Sequence, residues 1–123
     1  MKGMMMAKRS GKGDPLAALL AVAGAVAVIG GAYGSHGATG TAAEWLKTGA
    51  IYLMVHAVAG IVAIQAGRRG PAGLFLLGGA IFSGTLFAMA LGAPHKLGMI
   101  TPLGGLAMIL GWVWLALTML RGR

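Results

Sequence analysis

The stretch LAALLAVAGAVAVIGGAY, residues Leu16 to Tyr33, decides the fold: eighteen residues pass without one charged side chain. A helix needs about 20 mainly apolar residues to cross the ~30 Å hydrocarbon core of a bilayer. Three further apolar runs follow, Leu46 to Ala66, Ala72 to Ala93 and Leu97 to Leu120, and the four together fill most of the 123 residues. The fold class they predict is all-α. It is an integral membrane four-helix bundle with helices over about 15–34, 42–66, 71–92 and 101–120, preceded by a basic tail over residues 1–13.

Composition and charge agree with this reading. Hydrophobic residues make up 58% of the chain and charged ones 10%, against roughly 25% charged in soluble domains. The net charge of +8 does not form a stripe on a folded surface, so no nucleic-acid partner is expected. The basic residues instead sit at the ends of the runs. Lys2, Lys8, Arg9 and Lys12 precede the first, Arg68 and Arg69 join the second to the third, and Arg121 and Arg123 follow the fourth, leaving only Lys47 and Lys96 for the other connections. By the positive-inside rule both termini are expected in the cytoplasm, the N-in/C-in arrangement. The first run is longer than the ~7–15 apolar residues of a cleaved signal peptide, so a retained signal-anchor is expected.

Each run has a nameable start. Asp14-Pro15 reads as an N-cap followed by proline at the first helical position, and Thr41-Ala42-Ala43-Glu44 reads as a capping box. Gly70-Pro71 opens the third helix and Thr101-Pro102 the fourth, leaving Gly92 to Ile100 as a loop. Both acidic residues of the chain, Asp14 and Glu44, are thereby assigned to helix ends. No carboxylate remains for the bilayer interior, which removes the usual machinery of proton-coupled transport and of paired-carboxylate hydrolysis. Cysteine is absent, so thiolate metal sites and thiol nucleophiles are excluded.

Glycine is abundant, at 23 residues, and periodic. Because lipid supplies no hydrophobic drive for helix association, small residues at helical spacing mark faces where backbones approach closely. Gly24, Gly31 and Gly34 on the first helix, Gly60 on the second, Gly79 on the third and Gly105 on the fourth are the expected packing positions. Tyr52 and His56, at i and i+4, share a face of the second helix, and with Ser83 and Thr101 they form a sparse candidate polar seam. An ionisable group at membrane depth is a functional hypothesis by default. The plainer reading makes His56 a neutral histidine bonded to a neighbouring helix, with Tyr52, Ser83 and Thr101 as the expected partners. His36 and His95 lie at the outer surface and could pair there, while His56 sits roughly 20 Å along the second helix at 1.5 Å per residue; depth argues against all three meeting, and no metal site and no cofactor are expected.

The motifs Gly31-Ala32-Tyr33-Gly34-Ser35-His36-Gly37, Tyr52 with His56, Phe82-Ser83-Gly84-Thr85-Leu86-Phe87 and Ile100-Thr101-Pro102-Leu103-Gly104-Gly105 with Gly111-Trp112 occur in this order on successive helices. On these pieces, from about Gly24 to Trp114, the chain resembles the YgdD-like family of small bacterial inner-membrane proteins of unknown function, which has an animal transmembrane relative. One residue departs from the family pattern: Leu53 stands where a glutamine usually follows the tyrosine. The resemblance implies a four-helix integral membrane protein and carries no biochemical activity across. With neither a soluble domain nor a catalytic constellation, the chain reads as a non-enzymatic subunit, oligomeric or accessory to a larger membrane complex, with lipids as partners. The alternative is an oligomeric small-solute or lipid transporter that uses the seam around His56.

Overall fold

A computed structural model describes residues 13–122; the tail carrying Lys2, Lys8, Arg9 and Lys12, and the terminal Arg123, lie outside the described residues. Four helices account for nearly all of it: α1 (Pro15–His36), α2 (Gly40–Gln65), α3 (Arg69–Ala90) and α4 (Thr101–Arg121), with a 3₁₀ turn, His95–Met99, before α4. At 1.5 Å per residue, the 22 residues of α1 and α3 extend about 33 Å, enough to span a bilayer core. Consecutive helices run in opposite directions. One end of the bundle therefore carries Asp14, Arg68, Arg69 and Arg121, and the other Lys47 and Lys96.

The helix ends follow from the sequence in most places. Asp14 caps α1, its carboxylate accepting from the amides of Leu16 at 3.1 Å and Ala17 at 3.3 Å. The α2 to α3 turn is only a few residues long because Gly67 takes a left-handed φ of +81°, where glycine has no Cβ penalty. There the amide of Arg68 reaches the Ala63 carbonyl and that of Gly67 the Ile64 carbonyl, the paired bonds of a Schellman motif. Gly92, at φ +111°, ends α3 with the same pairing. The expected capping box at Thr41 does not form. The helix begins earlier, after Thr39, and the Ala43 amide already bonds the Thr39 carbonyl. Thr41 thus lies inside the helix, and Glu44 is exposed with no capping role. Thr101, likewise, is the first residue of α4 rather than its cap.

The helices pack in sequence order as a staggered strip. α2 lies between α1 and α3, α4 packs on α3, and α1 touches α3 more lightly; α1 and α4 share no packed interface. The closest approach is between α3 and α4. A Cβ placed on Gly78 would stand 2.7 Å from the Gly104 carbonyl oxygen, and one on Gly104 would stand 2.7 Å from the Gly78 carbonyl. Here backbone meets backbone, and no side chain can yield.

The expected packing glycines divide. A Cβ at Gly34 would come within 2.9 Å of Leu46, at Gly60 within 2.6 Å of Leu20, at Gly79 within 3.2 Å of Leu53 and at Gly31 within 3.3 Å of Ala50. Gly24 has no neighbour within 4 Å, and Gly105 has only ordinary contact with Phe82, at 3.8 Å. Both assignments are corrected to nearby residues. The buried stripe of α1 is Leu20, Ala23, Ala27, Gly30 and Gly34, and that of α4 runs through Gly104, Met108 and Gly111. Gly30 admits the ring of Phe87 and Gly111 that of Phe75.

Candidate functional site

His56 lies in the middle of the strip, 6% exposed. Its Nδ1 is 2.7 Å from the Tyr52 carbonyl and its Nε2 is 2.9 Å from the indole Nε1 of Trp112 on α4. An indole N–H only donates, so Nε2 must be an acceptor, and a carbonyl only accepts, so Nδ1 must carry the proton. The two partners together select the neutral Nδ1–H tautomer. Both ring nitrogens are then satisfied within the protein.

Aromatic rings close over this pair. Phe75, fully buried, meets the His56 ring edge-on at 5.5 Å and the Trp112 ring tilted at 4.7 Å, distances at which offset and edge contacts are favourable. Space for these rings comes from small residues opposite them: Gly111 beside Phe75, and Gly79 beneath Leu53 and the base of His56. The box is a product of glycine placement. Tyr52 does not join it through its hydroxyl. That side chain is 45% exposed and leans on Phe82, with ring centroids 4.7 Å apart.

The seam expected through Tyr52, His56, Ser83 and Thr101 is broken into separate clasps. Ser83, wholly buried, donates to the Gly49 carbonyl at 2.7 Å and ties α3 to α2. Thr101 pairs with Thr85 at 2.6 Å and ties α4 to α3. Neither reaches His56, whose interhelical partner is Trp112. A residue outside the expected set thus completes the site. The chain does carry a signal for it, since an indole N–H at membrane depth must find an acceptor and His56 is the imidazole at comparable depth. In place of one continuous seam, three separate interhelical hydrogen bonds tie the helices together. Among the described residues, no buried side-chain nitrogen or oxygen lacks a partner.

The ends carry two further links. At the arginine end, Arg68 donates from Nε to the Thr118 hydroxyl at 2.9 Å and from its terminal nitrogens to the carbonyls of Ala66 at 2.7 Å and Thr118 at 3.3 Å. Arg69 forms an ion pair with Asp14 at 2.7 Å. That hydrogen bond from Arg69, helped by the Ala17 and Leu16 amides, holds the Asp14 carboxyl below the usual carboxylate range. At the lysine end, His95 sits edge-on against Trp45 at 5.2 Å. Among the described residues no three or more His, Asp or Glu side chains gather as a metal site.

Four helices long and apolar enough to cross a membrane, with every buried side-chain nitrogen and oxygen among the described residues satisfied, mark a small multi-span α-helical membrane protein. Residues 30–105 match the family described as protein of unknown function (DUF423). A UPF0382 membrane protein of Haemophilus influenzae is 36% identical over 108 residues, covering 80% of this chain and 87% of the relative. A UPF0382 membrane protein of Schizosaccharomyces pombe is 33% identical, over 75% of this chain and 90% of its own. The UPF0382 inner membrane protein YgdD of Escherichia coli is 32% identical, over 82% and 86% respectively. The chain belongs to this family of membrane proteins of unknown function. No solved structure matches it.

Proposed function

We propose that this protein is a non-enzymatic inner-membrane subunit, oriented with both termini in the cytoplasm, that works through its lipid-facing exterior by associating with copies of itself or with a larger membrane complex. The observation that carries this reading is the satisfied interior: His56, Ser83 and Thr101 bond to neighbouring helices, and among the described residues no buried side-chain nitrogen or oxygen lacks a partner. What remains is surface. Along α1 the exposed residues Ala18, Ala21, Ala25, Ala32 and Ser35 are small and helically spaced, the pattern that lets a second helix come close in lipid.

The orientation is supported by Arg68, Arg69 and Arg121 at one end against Lys47 and Lys96 at the other, and the inner-membrane location by the printed name of the Escherichia coli relative. Native mass spectrometry of the full chain released from membranes in mild detergent tests the association. A discrete oligomer or a stoichiometric companion is the expected result. A lone monomer in every mild detergent would refute it.

A further inference from the structure

An apolar groove of about 510 Å³ runs along the seam between α2 and α4, walled by Val55, Val58 and Val62 on one side and Trp112, Ala116 and Met119 on the other. One turn beyond Val62 and three residues beyond Met119, just past the ends of the same two helices, lies a polar recess of about 250 Å³ lined by Ala66, Gly67, Arg68 and Gly122. Groove and recess follow one another along one line. From Val55 to Ala66 the distance is about 16 Å at 1.5 Å per residue, close to half of a ~30 Å hydrocarbon core. That is the depth of a single leaflet.

The chemistry changes along this line as it does along a phospholipid. The upper groove is apolar even at Trp112, whose only polar atom is turned inward to His56. The recess is cationic. Arg68 is fixed by three hydrogen bonds to Thr118 and Ala66, which leaves two of its five N–H groups. The C-terminal carbonyl ends of α2 and α4 bring roughly half a negative charge each. Arg68 and Arg121 outweigh them, because the nearby carboxylate of Asp14 is committed to Arg69. We infer that the α2/α4 groove and the Arg68 recess form one site for an anionic phospholipid, an acyl chain lying in the groove and the phosphate on Arg68. Basic pockets between membrane helices hold anionic headgroups in this manner. None of the lining residues belongs to α1, and the site does not rest on the role of α1 in association.

The test is native mass spectrometry of the purified full chain, titrated with dioleoylphosphatidylglycerol or with dioleoylphosphatidylcholine, which carries the same chains and no net charge. The expected result is one retained phosphatidylglycerol, preferred by about fivefold or more. Arg68→Gln is expected to abolish the preference and Ala116→Trp, which fills the groove, to reduce retention of both lipids. Lys47→Gln, at the other end of the bundle, is expected to leave both unchanged. Thr118→Val, which frees Arg68 without removing its charge, is expected to weaken the preference, and it serves should Arg68→Gln fail to fold. Equal retention of the two lipids by the unaltered chain would overturn the site. So would retention that depends on Arg68 but survives Ala116→Trp, which marks a free-anion site, or a cross-link through Ala116→Cys to a second copy, which marks a protein interface.

Discussion

α1 and α3 are both 22-residue apolar helices rich in small side chains, yet they are held by different means. Of α3's apolar span 39% is buried, against 22% of α1's. α3 donates Ser83 to α2 and pairs Thr85 with α4. Among the described residues, the span of α1 makes no side-chain hydrogen bond to another helix. It is seated by Gly30, Gly31 and Gly34 against Phe87, Ala50 and Leu46, and tied at one end by Asp14 to Arg69. Packing of small residues brings a helix close, but it resists rotation and sliding weakly, because neighbouring small-residue stripes are nearly equivalent. A polar clasp removes that equivalence, since a hydroxyl turned toward lipid loses its partner. α2, α3 and α4 therefore form a pinned unit, and α1 is the edge held along its span by packing alone.

Four substitutions separate these regions. The largest effect is expected from Gly104→Leu, which drives a side chain into the backbone of α3 and costs about 3 kcal/mol or more, the upper end of overpacking. Unfolding of the detergent-solubilised chain should show loss of the whole pinned unit. Gly34→Leu is expected to cost about 1 to 3 kcal/mol and to move α1 alone, lengthening a spin-label distance between Val28→Cys and Val58→Cys while His56 stays buried. Gly24→Leu, which meets open space, should leave that distance unchanged. If Gly34→Leu instead unfolds α3 and α4, the division into unit and edge is wrong. Trp112→Phe keeps the ring but strands Nε2 of His56, at a cost of about 0.6 to 2 kcal/mol for an interhelical bond in lipid, with no change in how α1 is seated.

The smallest effect belongs to the ion pair that ends α1. Its partners are 55% and 33% exposed, which limits its contribution. Because the folded Asp14 lies below its unfolded value, the stabilisation is complete above the ordinary carboxylate range and is lost as pH falls through the lowered value. Acidification should loosen the Arg69 end of α1, read by the same spin-label pair, and Asp14→Asn should remove this pH dependence.

Much of the architecture was legible from single residues. The apolar runs fix the number of helices, and Asp14-Pro15 fixes the start of α1 to the residue. The rotation of α1 was not legible. A helix that is apolar on every side gives no contrast between the face toward lipid and the face toward protein, so the stripe through Gly24 and Gly31 looks as suitable as the adjoining one through Ala23, Ala27 and Gly30. The capping box at Thr41 failed for a local reason, since the left-handed Gly40 at φ +62° lets the helix begin before it. His56 was identifiable because an imidazole at membrane depth stands out. Trp112 stands out in the same way, as an indole below the interfacial belt, but its pairing with His56 was not legible, because the two are 56 residues apart and nothing in the sequence ties the rotation of α4 to that of α2.

The absence of native cysteine makes single-cysteine cross-linking in intact membranes the most direct test of the proposal that the chain acts through the exposed α1 edge. A cysteine at Ala25, on the outer face of α1, is compared with one at Leu103, on the lipid-facing side of α4. The predicted result is efficient cross-linking at Ala25→Cys, to a second copy or a companion, and little at Leu103→Cys. Cross-linking at Leu103→Cys with none at Ala25→Cys would contradict it.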